Sequence, residues 1–529
     1  MGERTVVSYF DNKVTRREVI TKGAAGLGVI GGISLLGGYG SSSSASPART
    51  GAAPKRGGTL RVGLTSGGTT SVVDPDTGTL AEGDFARFYA LYDRLVVRDA
   101  AFELKPHLAE EVTPNRAGDV WTVRLRQGVE FHDGKPLTAD DLIYSLRRHA
   151  APKSVNADLL TQVDVAALRK LDKLTVRIPL KQPSGVLEDA FAQPAGFVLP
   201  EGYDPRRPVG TGPFRYVSFS PGQEATFTRF ESYWYGPPLV DALNLIEYAD
   251  PSGRVNALLA GQLDVAVDFP PTQVPTLTGK QSTTVLREAA NTAVVFTMNV
   301  AVPPWNDVRV RQAMRLIVDR PQLVNTALDG YGKLGNDIAA PLDPAYIGNR
   351  LPQRTQDLER AKALLKQAGH EHLSFQLTTA EALAGVNAAS TAFAQQALGA
   401  GVTANLDVVP VSVVFGPKYG TWPFAVDYAW GDYYWATKVL LAPDAPTPDC
   451  GWRDREWDQL YAEAFKEVDP ARRNQLFGEM QRIDYDRGPW IVWGIPDWIS
   501  GISRKTAGYR AGKWALPLGD FGWSSIGFV

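Results

Sequence analysis

The residues best suited to contact a small molecule are aromatic and concentrated in one stretch of the chain. They are Trp422, Tyr428, Trp430, Tyr433, Tyr434 and Trp435. Such rings offer faces for stacking and for cation–π contacts, and the carboxylate of Asp432 lies among them. The alternative is that about half of these rings belong to a hydrophobic core. The stretch therefore indicates binding chemistry and does not by itself distinguish a pocket wall from the interior.

A second candidate contact is the Gly/Ser/Thr-rich loop at residues 65–70, which begins with Thr65 and Ser66. Its hydroxyl and backbone N–H groups can donate hydrogen bonds to a polar ligand. A solvent-exposed turn is the alternative for this loop.

The sequence carries no recognisable catalytic or metal-binding motif, so we expect neither an enzyme nor a cofactor. Cys450 is the one cysteine, which excludes an intrachain disulfide and a cysteine-based zinc site. Gly-x-Ser-x-Gly and His-Glu-x-x-His patterns are absent. A Gly-x-Gly-x-x-Gly pattern at 26–31 follows no strand. The segment His132-Asp133-Gly134 is interpreted as a turn, because one His beside one Asp lacks the ligands that a metal needs.

Size and composition are those of a soluble protein with several domains. The chain has 529 residues, of which 44% are hydrophobic and 21% charged, and its net charge is −2. Without a basic excess, nucleic acid is not an expected partner.

The N-terminus has the pattern of an export signal, which we assign to residues 1–45. The pair Arg16-Arg17 has the flanks of a twin-arginine signal, and residues 23–39 are uncharged and apolar. Tyr39 occupies the position at which a lipoprotein signal has its cysteine, so a lipoprotein is not expected. An uncleaved membrane anchor is the alternative. Residues 46–56 are predicted to be a flexible linker.

The mature chain alternates strand and helix patterns, which predicts an α/β fold. A first strand is predicted at 59–63 and a helix at 81–93, where aromatic residues recur at helical spacing. Asp307, Asp357 and Asp469 are predicted N-caps of later helices.

Several segments are recognisable as a set. The longest reads WTVRLRQGVEFHDGKPLTADD at 121–141. The others lie at 57–63, 74–75, 92–96, 106–110, 210–214, 307–313 and 361–369. In this order they resemble the family 5 extracellular solute-binding proteins, the oligopeptide, dipeptide and nickel receptors of ABC importers.

The resemblance implies a two-lobed, periplasmic-binding-protein-like (type II) α/β fold with a subdomain inserted in the first lobe. The ligand would lie between the lobes, and their closure would bury it. The implied division is 56–79 with 196–285 and 489–529 for lobe I, 80–195 for the inserted subdomain, and 286–488 for lobe II.

The resemblance also implies site residues. Asp432 aligns with the aspartate that binds the α-ammonium of peptide ligands, although Tyr434-Trp435-Ala436 replaces the usual Pro-Asp-Pro that follows. The loop at 375–382, where dipeptide receptors place an arginine for the ligand carboxylate, has none. The candidate ligand-binding residues are Thr65, Ser66, Thr379, Trp430, Asp432, Tyr433, Tyr434 and Trp435.

The expected function is therefore an extracytoplasmic receptor that captures a peptide or peptide-like solute and delivers it to the permease of an ABC transporter. We expect a monomer at the periplasmic or extracellular face of the cytoplasmic membrane. The alternatives are the same scaffold with a non-peptide solute, such as an oligosaccharide, an opine or a metal chelate, and, more remotely, an exported enzyme.

Overall fold

A computed structural model describes residues 53–78, 81–510 and 512–529. The predicted signal and most of the predicted linker lie outside these ranges. The strands, numbered along the chain, are Thr59–Thr65 (β1), Val96–Arg98 (β2), Leu104–Pro106 (β3), Ala109–Pro114 (β4), Val120–Leu125 (β5), Arg169–Lys170 (β6), Thr175–Pro179 (β7), Phe214–Ser220 (β8), Glu224–Arg229 (β9), Ala242–Tyr248 (β10), Val265–Ala266 (β11), Thr283–Ala289 (β12), Ala293–Met298 (β13), Gly332–Leu334 (β14), Ser374–Thr379 (β15), Thr403–Val408 (β16), Phe424–Ala429 (β17), Trp490–Ser503 (β18), Thr506–Ala507 (β19) and Gly527–Phe528 (β20).

The helices alternate with these strands, as the sequence predicts for an α/β fold. They are Glu82–Leu91 (α1), Ala139–His149 (α2), Leu187–Phe191 (α3), Pro251–Leu259 (α4), Val274–Leu277 (α5), Val308–Ile317 (α6), Arg320–Leu328 (α7), Leu358–Gln367 (α8), Val386–Leu398 (α9), Val411–Val414 (α10), Tyr433–Ala436 (α11), Arg455–Lys466 (α12) and Pro470–Arg487 (α13).

One long sheet runs through the molecule in the order β16-β15-β17-β13-β18-β11-β1-β10-β9-β8. We call the half containing β1 and β8–β11 lobe I, and the half containing β13 and β15–β17 lobe II. Strand β18 belongs to both, because its first residues pair with β13 and its last residues pair with β11 and β12. The chain also passes between the halves in the short link from β12 to β13. The two halves are thus joined by two neighbouring strand connections.

A smaller sheet, in the order β4-β5-β7-β6, forms a separate layer within the predicted inserted subdomain. Its buried face is continuous with apolar side chains of lobe II, among them Tyr434, Leu440 and Trp457. Helix α1 contacts β1 and β10 and shares the core of lobe I, where Phe88 lies with Leu60. The division of the chain into segments stays a prediction, and these contacts place α1 against lobe I.

Two of the recognisable segments, at 121–141 and 210–214, are joined to each other by hydrogen bonds. The backbone N–H of Gly210 donates to Nδ1 of His132 at 3.2 Å, and Nε2 of His132 lies 2.9 Å from the carbonyl oxygen of Gly212. Burial lowers the pKa of His132 to about 4, which keeps the imidazole neutral for this pair of bonds. A Cβ added at Gly210 would lie 2.0 Å from the carbonyl oxygen of Leu91, so this close approach requires glycine. The turn predicted at 132–134 therefore has a structural role, because His132 holds the segment at 210–214 in place.

The predicted N-caps are confirmed. Asp307, Asp357 and Asp469 each accept a hydrogen bond from a backbone N–H in the first turn of α6, α8 and α13. On α6, the guanidinium of Arg311 donates to the carbonyl of Arg487 at 2.7 Å, at the end of α13. Cationic side chains stabilise such an end because its carbonyl groups have no partners within the helix.

Candidate functional site

The aromatic stretch begins just before β17 and continues past its end, and one of its rings lies between the lobes. Trp430 is half-buried, and its ring centroid lies 4.2 Å from that of Trp435 and 6.1 Å from that of Phe85 on α1 of lobe I. Trp430 also packs against the apolar clusters of both lobes. Trp430 and Trp435 thus form an aromatic wall of lobe II that faces lobe I.

Asp432 is buried, and protein donors already occupy its carboxylate. Oδ1 accepts the backbone N–H of Trp435 at 2.7 Å and so caps α11. Oδ2 accepts Nη2 of Arg98 at 2.6 Å and Nε2 of Gln193 at 3.1 Å. Arg98 ends β2 and Gln193 follows α3, so both donors come from the predicted inserted subdomain. Asp432, the predicted ammonium anchor, is therefore paired with side chains of the predicted inserted subdomain.

Two further carboxylates surround the same guanidinium. Asp189 accepts from Nη2 of Arg98 at 3.1 Å, and its other oxygen lies 4.0 Å from Arg473. Asp343 accepts the backbone N–H of Tyr433 at 3.1 Å. Burial raises the pKa of Asp189 and of Asp343, and Arg98 acts in the opposite direction on both. Three acids share two arginines here, which makes the cluster sensitive to the loss of either cation.

Tyr433 and Tyr434 lie in the apolar core that lobe II shares with the predicted inserted subdomain. The hydroxyl of Tyr433 donates to Oδ2 of Asp484 at 2.6 Å, and the ring of Tyr434 packs 5.4 Å from that of Phe465. Both side chains are almost fully buried. In this structure these two rings serve the core, while Trp430 faces the other lobe.

Thr65 and Ser66 lie at the end of β1, where their hydroxyls hydrogen-bond within lobe I. Thr65 accepts Nη1 of Arg254 at 2.6 Å. The hydroxyl of Ser66 donates to Glu247 at 3.1 Å, and Glu247 is paired with Arg87 at 2.6 Å. The loop is thus held by a buried polar network of lobe I.

Thr379 ends β15 and is completely buried. Its hydroxyl contacts Oδ1 of Asn387 and Oγ of Ser390, each at 2.9 Å, and so ties the strand to α9 within lobe II. The structure brings Trp430, Asp432 and Trp435 together, and the polar contacts of Thr379 lie elsewhere in lobe II.

Sequence reasoning missed the partners of Asp432. Arg98 follows the recognisable segment 92–96 by two positions but is 334 residues away from Asp432 along the chain. A charge in a short strand is ordinary, so no local pattern marks Arg98 as the partner of that carboxylate.

The described part of the chain offers little support for a metal site or for a reactive thiol. Among those residues, no group of three or more His, Cys, Asp and Glu side chains could hold a metal ion. Cys450 is fully buried, and burial raises the pKa of its thiol well above its ordinary value.

Comparison with known proteins gives the same scaffold. The model of the bacterial extracellular solute-binding proteins, family 5 (middle), matches residues 103–448, which is more than half of the chain. The chain belongs to this family. Its members are binding receptors of ABC importers that act in the periplasm or outside the cell and work with permeases in the membrane.

Curated relatives and a solved structure extend the match over most of the chain. The glutathione-binding protein GsiB of Escherichia coli O157:H7 is 27% identical over 459 residues, covering 82% of this chain and 88% of the relative. Di/tripeptide-binding protein 2 of Pseudomonas aeruginosa is 27% identical over 448 residues, covering 77% and 84%. The structure of AgaA from A. tumefaciens R10 with agropinic acid superimposes with a TM-score of 0.74 at 24% identity, covering 89% and 99%.

The recognised family and the predicted two-lobed type II fold are both confirmed, and the family is one of receptors rather than enzymes. Within the described ranges, this solute-binding protein has no helix with the length and apolar character needed to cross a bilayer. The segment predicted to direct its export falls outside those ranges.

Proposed function

We propose that this protein captures a peptide or peptide-like solute between its two lobes and delivers it to an ABC permease. The observation that carries the proposal is the contact of Trp430 in lobe II with Phe85 in lobe I, which builds an aromatic wall where the lobes meet. The names of two relatives, for glutathione and for di- and tripeptides, support a peptide-like solute.

Closure of the two lobes would be a rotation of one lobe against the other about the two connections that join them. The link from β12 to β13 and the middle of β18 are the strand connections that join the halves of the long sheet. A hinge of a few residues is enough to move one lobe against the other. The Arg98–Asp432 pair would then stabilise the closed form, because Arg98 belongs to the subdomain predicted to be inserted in lobe I and Asp432 belongs to lobe II.

Asp432 remains the proposed anchor for a ligand ammonium, under one condition set by its contacts. Its carboxylate already accepts from Arg98, Gln193 and the backbone of Trp435. An ammonium would have to displace Arg98 or Gln193, and the displaced group would need a new partner. Asp432→Asn tests this anchor because it keeps an oxygen to cap α11.

The first experiment is mass spectrometry of the solute that co-purifies with the exported protein, followed by thermal-shift measurement after its removal. A ligand present at a thousand times its Kd stabilises the folded protein by about 4 kcal/mol. Peptides that restore this stabilisation support the proposal. A sugar, an opine or a metal chelate as the sole stabilising solute would overturn the peptide assignment and leave the receptor scaffold intact.

We also propose export of a monomer by the twin-arginine route, from the pattern at Arg16-Arg17 and the apolar residues 23–39. Changing both arginines to lysine should leave the protein in the cytoplasm, as measured by fractionation and immunoblotting. Unchanged export of that variant would refute the route. Sedimentation of the exported protein tests the monomer.

A further inference from the structure

Three charged side chains of lobe I, Glu82, Arg254 and Asp268, form a cluster at the ends of two parallel strands. β1 and β11 run parallel, with Val62 opposite Val265, so their carboxyl ends meet at one edge. Thr65 ends β1, and Asp268 follows β11 by two residues. This edge is where open α/β sheets bind ligands.

The arginine in this cluster neutralises neither neighbouring acid by direct contact. Arg254, which is 1% exposed, donates to the hydroxyl of Thr65 at 2.6 Å and to the backbone carbonyl of Asp268 at 2.8 Å. Among the described residues, it forms no ion pair with the carboxylate of Glu82 or of Asp268. Its Nε atom is buried without a partner.

The two carboxylates have no hydrogen bond or ion pair with any described residue. Oε1 of Glu82 is buried without a partner. Burial, and next the charge of Asp268, raises the pKa of Glu82, while Arg254 lowers it. Burial also raises the pKa of Asp268. The two half-buried acids therefore share the charge of one guanidinium, and a cationic group placed beside them would stabilise their ionised forms.

The cluster lies beside the place where the lobes meet. Glu82 is the first residue of α1, and Phe85, three positions later, contacts Trp430 of lobe II. The contrast with Asp432 is direct, because the carboxylate of Asp432 is fully used by protein donors and those of Glu82 and Asp268 are not.

We propose that Glu82 and Asp268 form a subsite for a cationic group of the solute, an alkylammonium or a guanidinium. The inference rests on the proposed function, since the solute must lie between the lobes to reach both acids. Arg254 acts as a positioning residue, because it ties Thr65 to the backbone of Asp268. The subsite gives this receptor a preference for basic solutes.

Calorimetric titration of ligand-free protein with matched tripeptides tests the subsite. Each pair differs only in charge at one side chain, lysine against norleucine and arginine against citrulline. The wild type should bind the basic member of a pair about 10- to 100-fold more tightly. The double variant Glu82→Gln/Asp268→Asn should lose that preference and bind the neutral member as the wild type does.

The substitutions keep the shape of both side chains. Asp268 has a φ of 42°, and asparagine is among the residues that tolerate this left-handed region best. Glu371→Gln, the same change at an exposed carboxylate of lobe II, is the matched control and should keep the preference of the wild type. An equal preference for basic peptides in the double variant would overturn the subsite.

A separate outcome distinguishes the two proposals. If no tripeptide of either kind binds, the proposed function fails for tripeptides, and ethylammonium chloride then serves as the probe against sodium chloride at equal ionic strength. A rise in melting temperature with ethylammonium in the wild type, absent from the double variant, would still support the subsite. The same response in both proteins would refute it.

Discussion

Replacing Arg98 with methionine should destabilise this protein and weaken the contact between the predicted inserted subdomain and lobe II. The guanidinium donates to Asp432 at 2.6 Å and to Asp189 at 3.1 Å, and the three side chains are 11%, 0% and 10% exposed. Methionine retains much of the apolar volume and removes the charge. The two carboxylates would then remain buried, with Arg473 at 4.0 Å from Asp189 as the nearest remaining cation.

The size of the effect follows from the burial of the pair. Removing one partner of a buried ion pair costs about 3–5 kcal/mol, because a charge is left without compensation. The same change at Arg124, whose pairs with Glu110 and Glu111 are about half exposed, should cost about 0–1 kcal/mol. Arg124→Met is therefore the matched control in the same subdomain.

Urea unfolding of ligand-free protein, followed by tryptophan fluorescence and by circular dichroism, measures the loss. Combining Arg98→Met with Asp432→Asn removes one of the two carboxylates that the single variant leaves without Arg98. The double variant should therefore be less destabilised than the sum of the single variants, by about 1–3 kcal/mol. Small-angle scattering should show a larger radius of gyration for Arg98→Met if the pair holds the lobes together. A loss within 1 kcal/mol of that for Arg124→Met, with additive effects, would refute the reasoning.

Three further predictions concern single groups. Burial raises the pKa of Glu288 to about 7 from its ordinary 4.5, so the folded protein binds more protons than the unfolded chain between these values. The contribution of this group to the free energy of unfolding should therefore fall by about 3 kcal/mol as pH rises through this range; Glu288→Gln should make the pH dependence of urea unfolding shallower by that contribution, and an unchanged slope would contradict the assignment. Gly212→Ala should destabilise by more than about 2 kcal/mol, because its Cβ would lie 2.5 Å from the carbonyl carbon of Leu91. Gly253→Ala on α4, where the nearest atom to an added Cβ lies at an ordinary contact distance of 3.6 Å, is the control, and equal melting temperatures for the two variants would oppose this account. The buried thiol of Cys450 should react with a disulfide reagent only after unfolding, and rapid reaction of the native protein would show that it is accessible.

Local signals in the sequence predicted the scaffold well. Asp307, Asp357 and Asp469 cap helices as expected, since a cap depends on an acid and the next few backbone N–H groups. The apolar residues at 490–493 also predict a strand, and β18 contains them but continues to Ser503. Its continuation depends on pairing with β12, a long-range contact that no periodicity reveals.

The candidate site was predicted less completely. The aromatic stretch does reach the meeting point of the lobes, through Trp430, but the same pattern places Tyr433 and Tyr434 in the core. Residues this close in sequence point to different sides of a short helix and its preceding turn. The composition of the stretch therefore could not show which ring faces the other lobe.

By itself, the sequence determined the α/β class, the family and the structural role of its signature segments, because these depend on local spacing and on segments met in a fixed order. The tertiary structure alone decided the electrostatics of the site. Asp432 acquires Arg98 from 334 residues away, while Glu82 and Asp268 converge from separate segments without a direct cationic partner. Whether a carboxylate is available to a ligand depends on which charges the fold brings beside it, and that information is not local in the chain.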